Sequence, residues 1–147
     1  MIRPAPALTP LIMIAAVCAA AWGLWSWVVW MPDEANRLRD DAFYEFVWAA
    51  NVAAGNGPTV SDGVATNGVQ WLWTLLLVPI AYSQPASLPV IAPMLGLGLH
   101  ILSALIVWRL PQDRLTGICL GLCWLGHPLL LREAQNGQET ALATFLV

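Results

Sequence analysis

Leu8 to Trp30 is a run of 23 residues without a charge, and nothing else in the chain constrains its folding as strongly. At 1.5 Å per residue a helix over this run covers about 35 Å, enough to cross a hydrocarbon core of about 30 Å. A lipid-facing segment must also satisfy its own backbone polar groups, which leaves a helix as the natural form. The run passes through Trp22, Trp25, Trp27 and Trp30, well beyond the apolar centre of a signal peptide. It therefore reads as an uncleaved anchor whose tryptophans form an interfacial belt. With 59% hydrophobic and 10% charged residues and a mean hydropathy of +0.66, the whole chain reads as an integral membrane protein. The fold expected is all-α, a polytopic transmembrane helical bundle, with the lipid bilayer as its first partner.

Three more apolar segments follow. Val69 to Tyr82 is short, about 21 Å as a helix, and is expected to lie at the interface or dip into the membrane. Residues 88–110 and 115–131 are expected to span it. Ala141 to Val147 reads as the start of another span. Residues 31–68 form a polar loop holding six of the nine acidic residues; its first half looks helical and amphipathic. Its second half looks like a loop with tight turns at Asp62-Gly63 and Asn67-Gly68.

Arginines favour short cytoplasmic loops. Arg109 and Arg114 flank "RLPQDR", and Arg3 lies at the amino terminus. Placing all three inside sends residues 8–30 outward, 88–110 inward and 115–131 outward. The acidic loop and Glu139 then share the external face, and only Asp113 lies inside. The opposite arrangement, in which Val69 to Tyr82 spans, would separate them.

Cys18, Cys119 and Cys123 all sit in apolar segments, the last two at i,i+4, and read as small packing residues instead of a metal site. His100 and His127 read as hydrogen-bonded packing histidines. Gly96 and Gly98 read as points of close helix approach. The net charge of −3 and the absence of lysine exclude nucleic acid as a partner.

The stretch "RLRDDAFYEF", Arg37 to Phe46, places three carboxylates and two arginines among three aromatic rings. As a helix from about Asp40 to Ala54, one face carries Asp41, Tyr44, Glu45, Trp48 and Asn51, and another carries Ala42, Phe46, Ala49 and Ala53. The second is a packing stripe. The first combines groups that can take a proton or a cation with aromatic faces and an amide suited to a sugar ring. A plain interfacial helix with solvated acids has the same periodicity. Asp40 and Asp41 also suit a helix start, where acids complement the macrodipole.

The longer stretch "DDAFYEFVWAANVAAGNGPTVSDGVATNGVQWLWTLLLVPI" resembles the first external loop of bacterial GT-C glycosyltransferases. These are the multispan enzymes related to dolichyl-phosphate-mannose protein mannosyltransferases and lipid A aminoarabinose transferases. An aspartate pair, an aromatic-rich helix, a "G-x-G" turn, "TNG" and "LWTLLL" follow in the same order, and the later "NGQETAL" resembles a "SGMETAL"-like element. The chain departs from the pattern after "TNG", where Val69-Gln70-Trp71 stand in place of residues that are often aromatic, histidine or proline.

The resemblance implies the amino-terminal part of an enzyme in the cytoplasmic (inner) membrane, multi-pass, with its active face external or periplasmic. A sugar would pass from a polyprenyl-phosphate donor to a glycan, lipid or protein acceptor. Asp40, matching the leading acid of the pair, is the expected base, with Asp41 the close alternative. Glu139 matches the acid of the second element. Arg37, Arg39 and Arg132 would meet the lipid phosphate, their other use being attraction to anionic headgroups. Tyr44, Glu45, Trp48 and Asn51 would line the substrate site. Members of the group work with or without a divalent cation; Asp40, Asp41 and Glu139 are the oxygen ligands that Mg²⁺ or Mn²⁺ would take here. These 147 residues alone are expected to insert without transferring sugar. The reading from a different class is a non-catalytic helical membrane scaffold or assembly protein.

Overall fold

The computed structural model describes residues 8–30, 38–61 and 63–147. Among them are seven α-helices and one small hairpin: α1 (Leu8–Trp30), α2 (Asp40–Ala53), β1 (Thr59–Ser61), β2 (Val64–Ala65), α3 (Trp71–Ser83), α4 (Leu88–Arg109), α5 (Arg114–Leu125), α6 (Pro128–Ala134) and α7 (Thr140–Leu146). The chain is mostly helical, as its composition implies. Pro85–Arg109, a short 3₁₀ turn running into α4, is long and apolar enough to cross a membrane.

α2 begins with Asp40 and Asp41 in its first turn, where acids favour the helix dipole. It ends in a Schellman motif: Gly55 takes a φ of +81°, its N–H donates to the Val52 carbonyl, and the Asn56 N–H donates to the Asn51 carbonyl. The following segment, read as a loop with tight turns, folds back as the antiparallel β1–β2 hairpin, with Gly63, where one of those turns is expected, at a φ of +76°. Two- and three-residue strands fall below what alternation can reveal, and α2 supplies their support. The Asn51 side-chain amide donates to the Thr59 carbonyl at 2.8 Å, and the Trp48 indole donates to the Thr66 carbonyl at 3.1 Å.

α4 and α5 pack as a hairpin around "RLPQDR". Asp113 caps α5, accepting from the Thr116 N–H at 2.8 Å. Gly117 and Gly121 admit the Trp108 side chain and backbone at contact distance. The expected single span over 115–131 is instead broken: α5 and α6 meet at 58°. Pro128, at the first position of α6, disfavours helix at His127, and the His127 ring accepts from the Leu130 N–H. Gly126, at the break, lies against Ala20 and Gly23 of α1. His100 Nε2 lies 3.2 Å from the Leu125 carbonyl, tying α4 to the same corner. Gly96 is a point of close approach, to the Ala134 carbonyl, but Gly98 faces open space and does not serve that role.

The buried core joins Ala42, Phe46 and Ala49 of α2, Trp73, Leu77 and Ala81 of α3, Leu88 and Ala92 of α4 and Leu142 of α7. The turn between α6 and α7 packs against it. Gly137 takes a φ of +83°, and a Cβ there would lie 2.7 Å from a Leu38 methyl and 3.0 Å from the Ala42 Cβ. Both conditions demand glycine. Gly137→Ala is therefore expected to destabilise the fold by about 1–3 kcal/mol from backbone strain alone, seen as a lower midpoint of thermal unfolding in detergent. Gly98→Ala, which meets nothing, should leave that midpoint unchanged or raise it slightly.

Candidate functional site

Three stretches far apart in sequence meet at one cleft of about 450 Å³, within the size range of small-molecule sites. The first two turns of α2 supply Asp41, Tyr44 and Glu45, at the i, i+3 and i+4 positions that share a helix face. The segment between β2 and α3 supplies Thr66, Gly68, Val69 and Gln70. Gln138 and Glu139, just before α7, close the third side, and Val60 of β1 completes the wall.

The turn before α7 explains how Gln138 and Glu139 reach α2. Asn136 is almost fully buried, 2% exposed. Its amide donates to Glu133 Oε2 at 2.7 Å and its carbonyl oxygen accepts from the Gln138 N–H at 2.8 Å. Its backbone carbonyl accepts from the Arg39 N–H at 3.2 Å, and the next carbonyl, of Gly137, accepts from the Trp73 indole at 2.9 Å. One turn thus ties the start of α2, the first turn of α3 and the end of α6 together. Val69 and Trp48 are buried beneath the cleft, and the Trp48 ring meets Trp71 edge-on at 5.3 Å.

Glu45 is electrostatically unusual. It is only 4% exposed, and its Oε2 has no hydrogen-bond partner among the described residues. Burial, then the nearby Glu139 carboxylate and, more weakly, Asp41, push its pKa from 4.5 up to about 7, against a partial offset from the Gln70 backbone amide. A carboxyl titrating there can both accept and release a proton near neutral pH.

The residues expected from the sequence divide clearly. Asp41, Tyr44, Glu45 and Glu139 come together in the cleft. Asp40, the expected base, does not line it; one position along a helix turns a side chain by 100°, and Asp40 is exposed in the first turn of α2. Trp48 and Asn51 hold the hairpin by the hydrogen bonds described above, so they act as supports for the wall and not as its lining. Arg39 is engaged with Glu133 at 2.8 Å, and Arg132 is exposed in the last turn of α6. Arg37 lies outside the described residues. Among the described residues no three His, Cys, Asp or Glu side chains are arranged to hold a metal ion, so the set of Asp40, Asp41 and Glu139 does not fit Mg²⁺ or Mn²⁺ here. Sequence reasoning missed Gln70 and Gln138, although each adjoins a motif it used, "TNG" and "NGQETAL". Comparisons with protein-family models, curated proteins and solved structures find no match for this chain.

The raised Glu45 value has a definite linkage sign. Between pH 4.5 and about 7 the unfolded chain gives up this proton while the folded chain keeps it, so stability falls as pH rises and levels off above about 7. The shift corresponds to about 3 kcal/mol. Glu45→Gln should remove that slope and raise the unfolding midpoint at pH 8 relative to the native chain, with little difference at pH 4, in thermal melts across that range.

Proposed function

We propose that this chain carries the external acceptor side of a polytopic membrane glycosyltransferase that uses a polyprenyl-phosphate sugar, in the cytoplasmic membrane with the cleft facing outward. One observation carries the reading. The three stretches that bear the family resemblance, "DDAFYEF", "TNG" with the residues after it, and "NGQETAL", line a single cleft although about 70 residues separate the last from the second. Nothing about membrane composition alone requires them to meet.

In the proposed reaction an acceptor hydroxyl enters the cleft and loses its proton to a carboxylate as its oxygen bonds to the anomeric carbon. The bond from that carbon to the phosphate oxygen breaks, and polyprenyl phosphate leaves with its electron pair. Asp41, the close alternative to Asp40 in the resemblance, takes the role of base, because Asp41 lines the cleft and Asp40 does not. Glu45 and Glu139 orient the acceptor by accepting hydrogen bonds. Arg132, exposed and without an ion pair among the described residues, is the candidate for the leaving phosphate, since Arg39 is held by Glu133.

The reading is tested in native membranes from cells with and without the gene, supplied with radiolabelled polyprenyl-phosphate sugars. Gene-dependent transfer is expected, and Asp41→Asn should lower it by about 10²–10⁴-fold at unchanged abundance in the membrane. Asp40→Asn should cost far less. Identical labelling with and without the gene, across the donor sugars supplied, would remove the proposal.

A further inference from the structure

The cleft has a one-sided chemistry that sugar transfer does not require. Among the described residues its lining contains three carboxylic acids, Asp41, Glu45 and Glu139, and no arginine, lysine or histidine. The remaining polar lining, Tyr44, Thr66, Gln70 and Gln138, is neutral, able to accept or donate hydrogen bonds, and adds one aromatic face. Glu45 lines this cleft, and its buried Oε2 has no hydrogen-bond donor among the described residues. Among the described residues, the Arg39 guanidinium is paired with Glu133.

We propose that the cleft is a subsite for a ligand bearing a primary ammonium group, seated among the carboxylates of Asp41, Glu45 and Glu139. As a statement about the acceptor it rests on the glycosyltransferase reading; as a statement about binding it needs no transfer chemistry. A neutral hydroxyl could satisfy Glu45 Oε2 with its one proton, but it would leave the mutual repulsion of three acids uncompensated. A metal ion would compensate it, but the acids are not arranged as a ligand set. An ammonium group brings a full positive charge and three N–H donors, needs no fixed coordination geometry, and forms charge-assisted hydrogen bonds with carboxylates.

Binding of the cation favours ionised Glu45, so it is accompanied by proton release wherever Glu45 is protonated in the free protein. The titratable groups facing Glu45 across the cleft are Asp41 and Tyr44 of α2 and Glu139 before α7; Glu45 is the one whose titration is displaced to near neutral pH. Affinity should therefore rise as pH increases through about 7 and flatten above it. An alkyl ammonium stays protonated to about pH 10, so the ligand itself does not contribute to that change.

The experiment compares trans-4-aminocyclohexanol with cyclohexane-1,4-diol, equal in size and different in one ammonium group, by calorimetric titration of the purified full chain. Titrations in detergent micelles test a soluble amine. Nanodiscs of phosphatidylethanolamine against phosphatidylcholine test whether the ammonium comes from a lipid headgroup, which would occupy the cleft and block the soluble amine only in the first. The amine is expected to bind about tenfold tighter than the diol at pH 8, with the preference shrinking below pH 6. Glu45→Gln should abolish the pH dependence, and Glu139→Gln should weaken the preference while the pH dependence persists. Equal affinity for amine and diol overturns the proposal. So does an amine preference unaltered in both variants, or an absence of binding in micelles and in both nanodiscs. Gene-dependent sugar transfer without amine preference would sink this inference and leave the enzyme reading standing; amine binding without transfer would do the reverse.

Discussion

The buried Asn136-Gly137 turn joins the start of α2, the first turn of α3 and the end of α6. A polar turn inside an apolar bundle must have its groups satisfied, since each unsatisfied one costs about 1–3 kcal/mol. Here the Asn136 amide is held by Glu133 and Gln138, its carbonyl by the Arg39 N–H, and the Gly137 carbonyl by Trp73. The absence of a side chain at Gly137 lets Leu38, Ala42 and Phe46 close over the backbone. The apolar core of α2, α3, α4 and α7 and the polar cleft therefore both adjoin one turn. Loosening the turn would disturb both.

Much of the helical organisation was legible because it rests on local patterns. The uncharged run of α1, the span-length α4 and the amphipathic α2 follow from composition and periodicity, and the packing stripe Ala42, Phe46 and Ala49 is buried as its spacing implies. The failures have equally specific causes. Residues 115–131 read as one apolar span because hydropathy is blind to the backbone restriction that Pro128 imposes on His127. Asp40 and Asp41 are indistinguishable in a motif and both exposed, yet a 100° rotation leaves only Asp41 lining the cleft. Trp48 and Asn51 sit on the predicted face but are reached first by the hairpin's carbonyls, whose position depends on two glycine-dependent turns. The tie between Trp73 and Gly137 joins residues 64 apart and has no period to reveal it.

The cleft's chemistry arises from this architecture and not from a single residue. Glu45 is carried inward with the buried face of α2, and the turn before α7 brings Glu139 close enough to oppose its ionisation. A fold selected only for stability would gain from removing such a carboxyl, since burying it without a full set of partners is costly. Strained electrostatics of this kind concentrate where ligands bind or protons move, which agrees with placing the functional centre at this cleft.

If the Asn136-Gly137 turn holds Glu139 and the cleft wall against a buried Glu45, replacing Asn136 must relax the Glu45 carboxyl. A ¹³C NMR titration of that carboxyl, in the intact chain and in Asn136→Ala, is expected to give a midpoint near 7 in the intact chain and a fall toward the ordinary 4.5 in the variant. A midpoint near 4.5 in the intact chain, or one near 7 that Asn136→Ala leaves unmoved, would rule this linkage out.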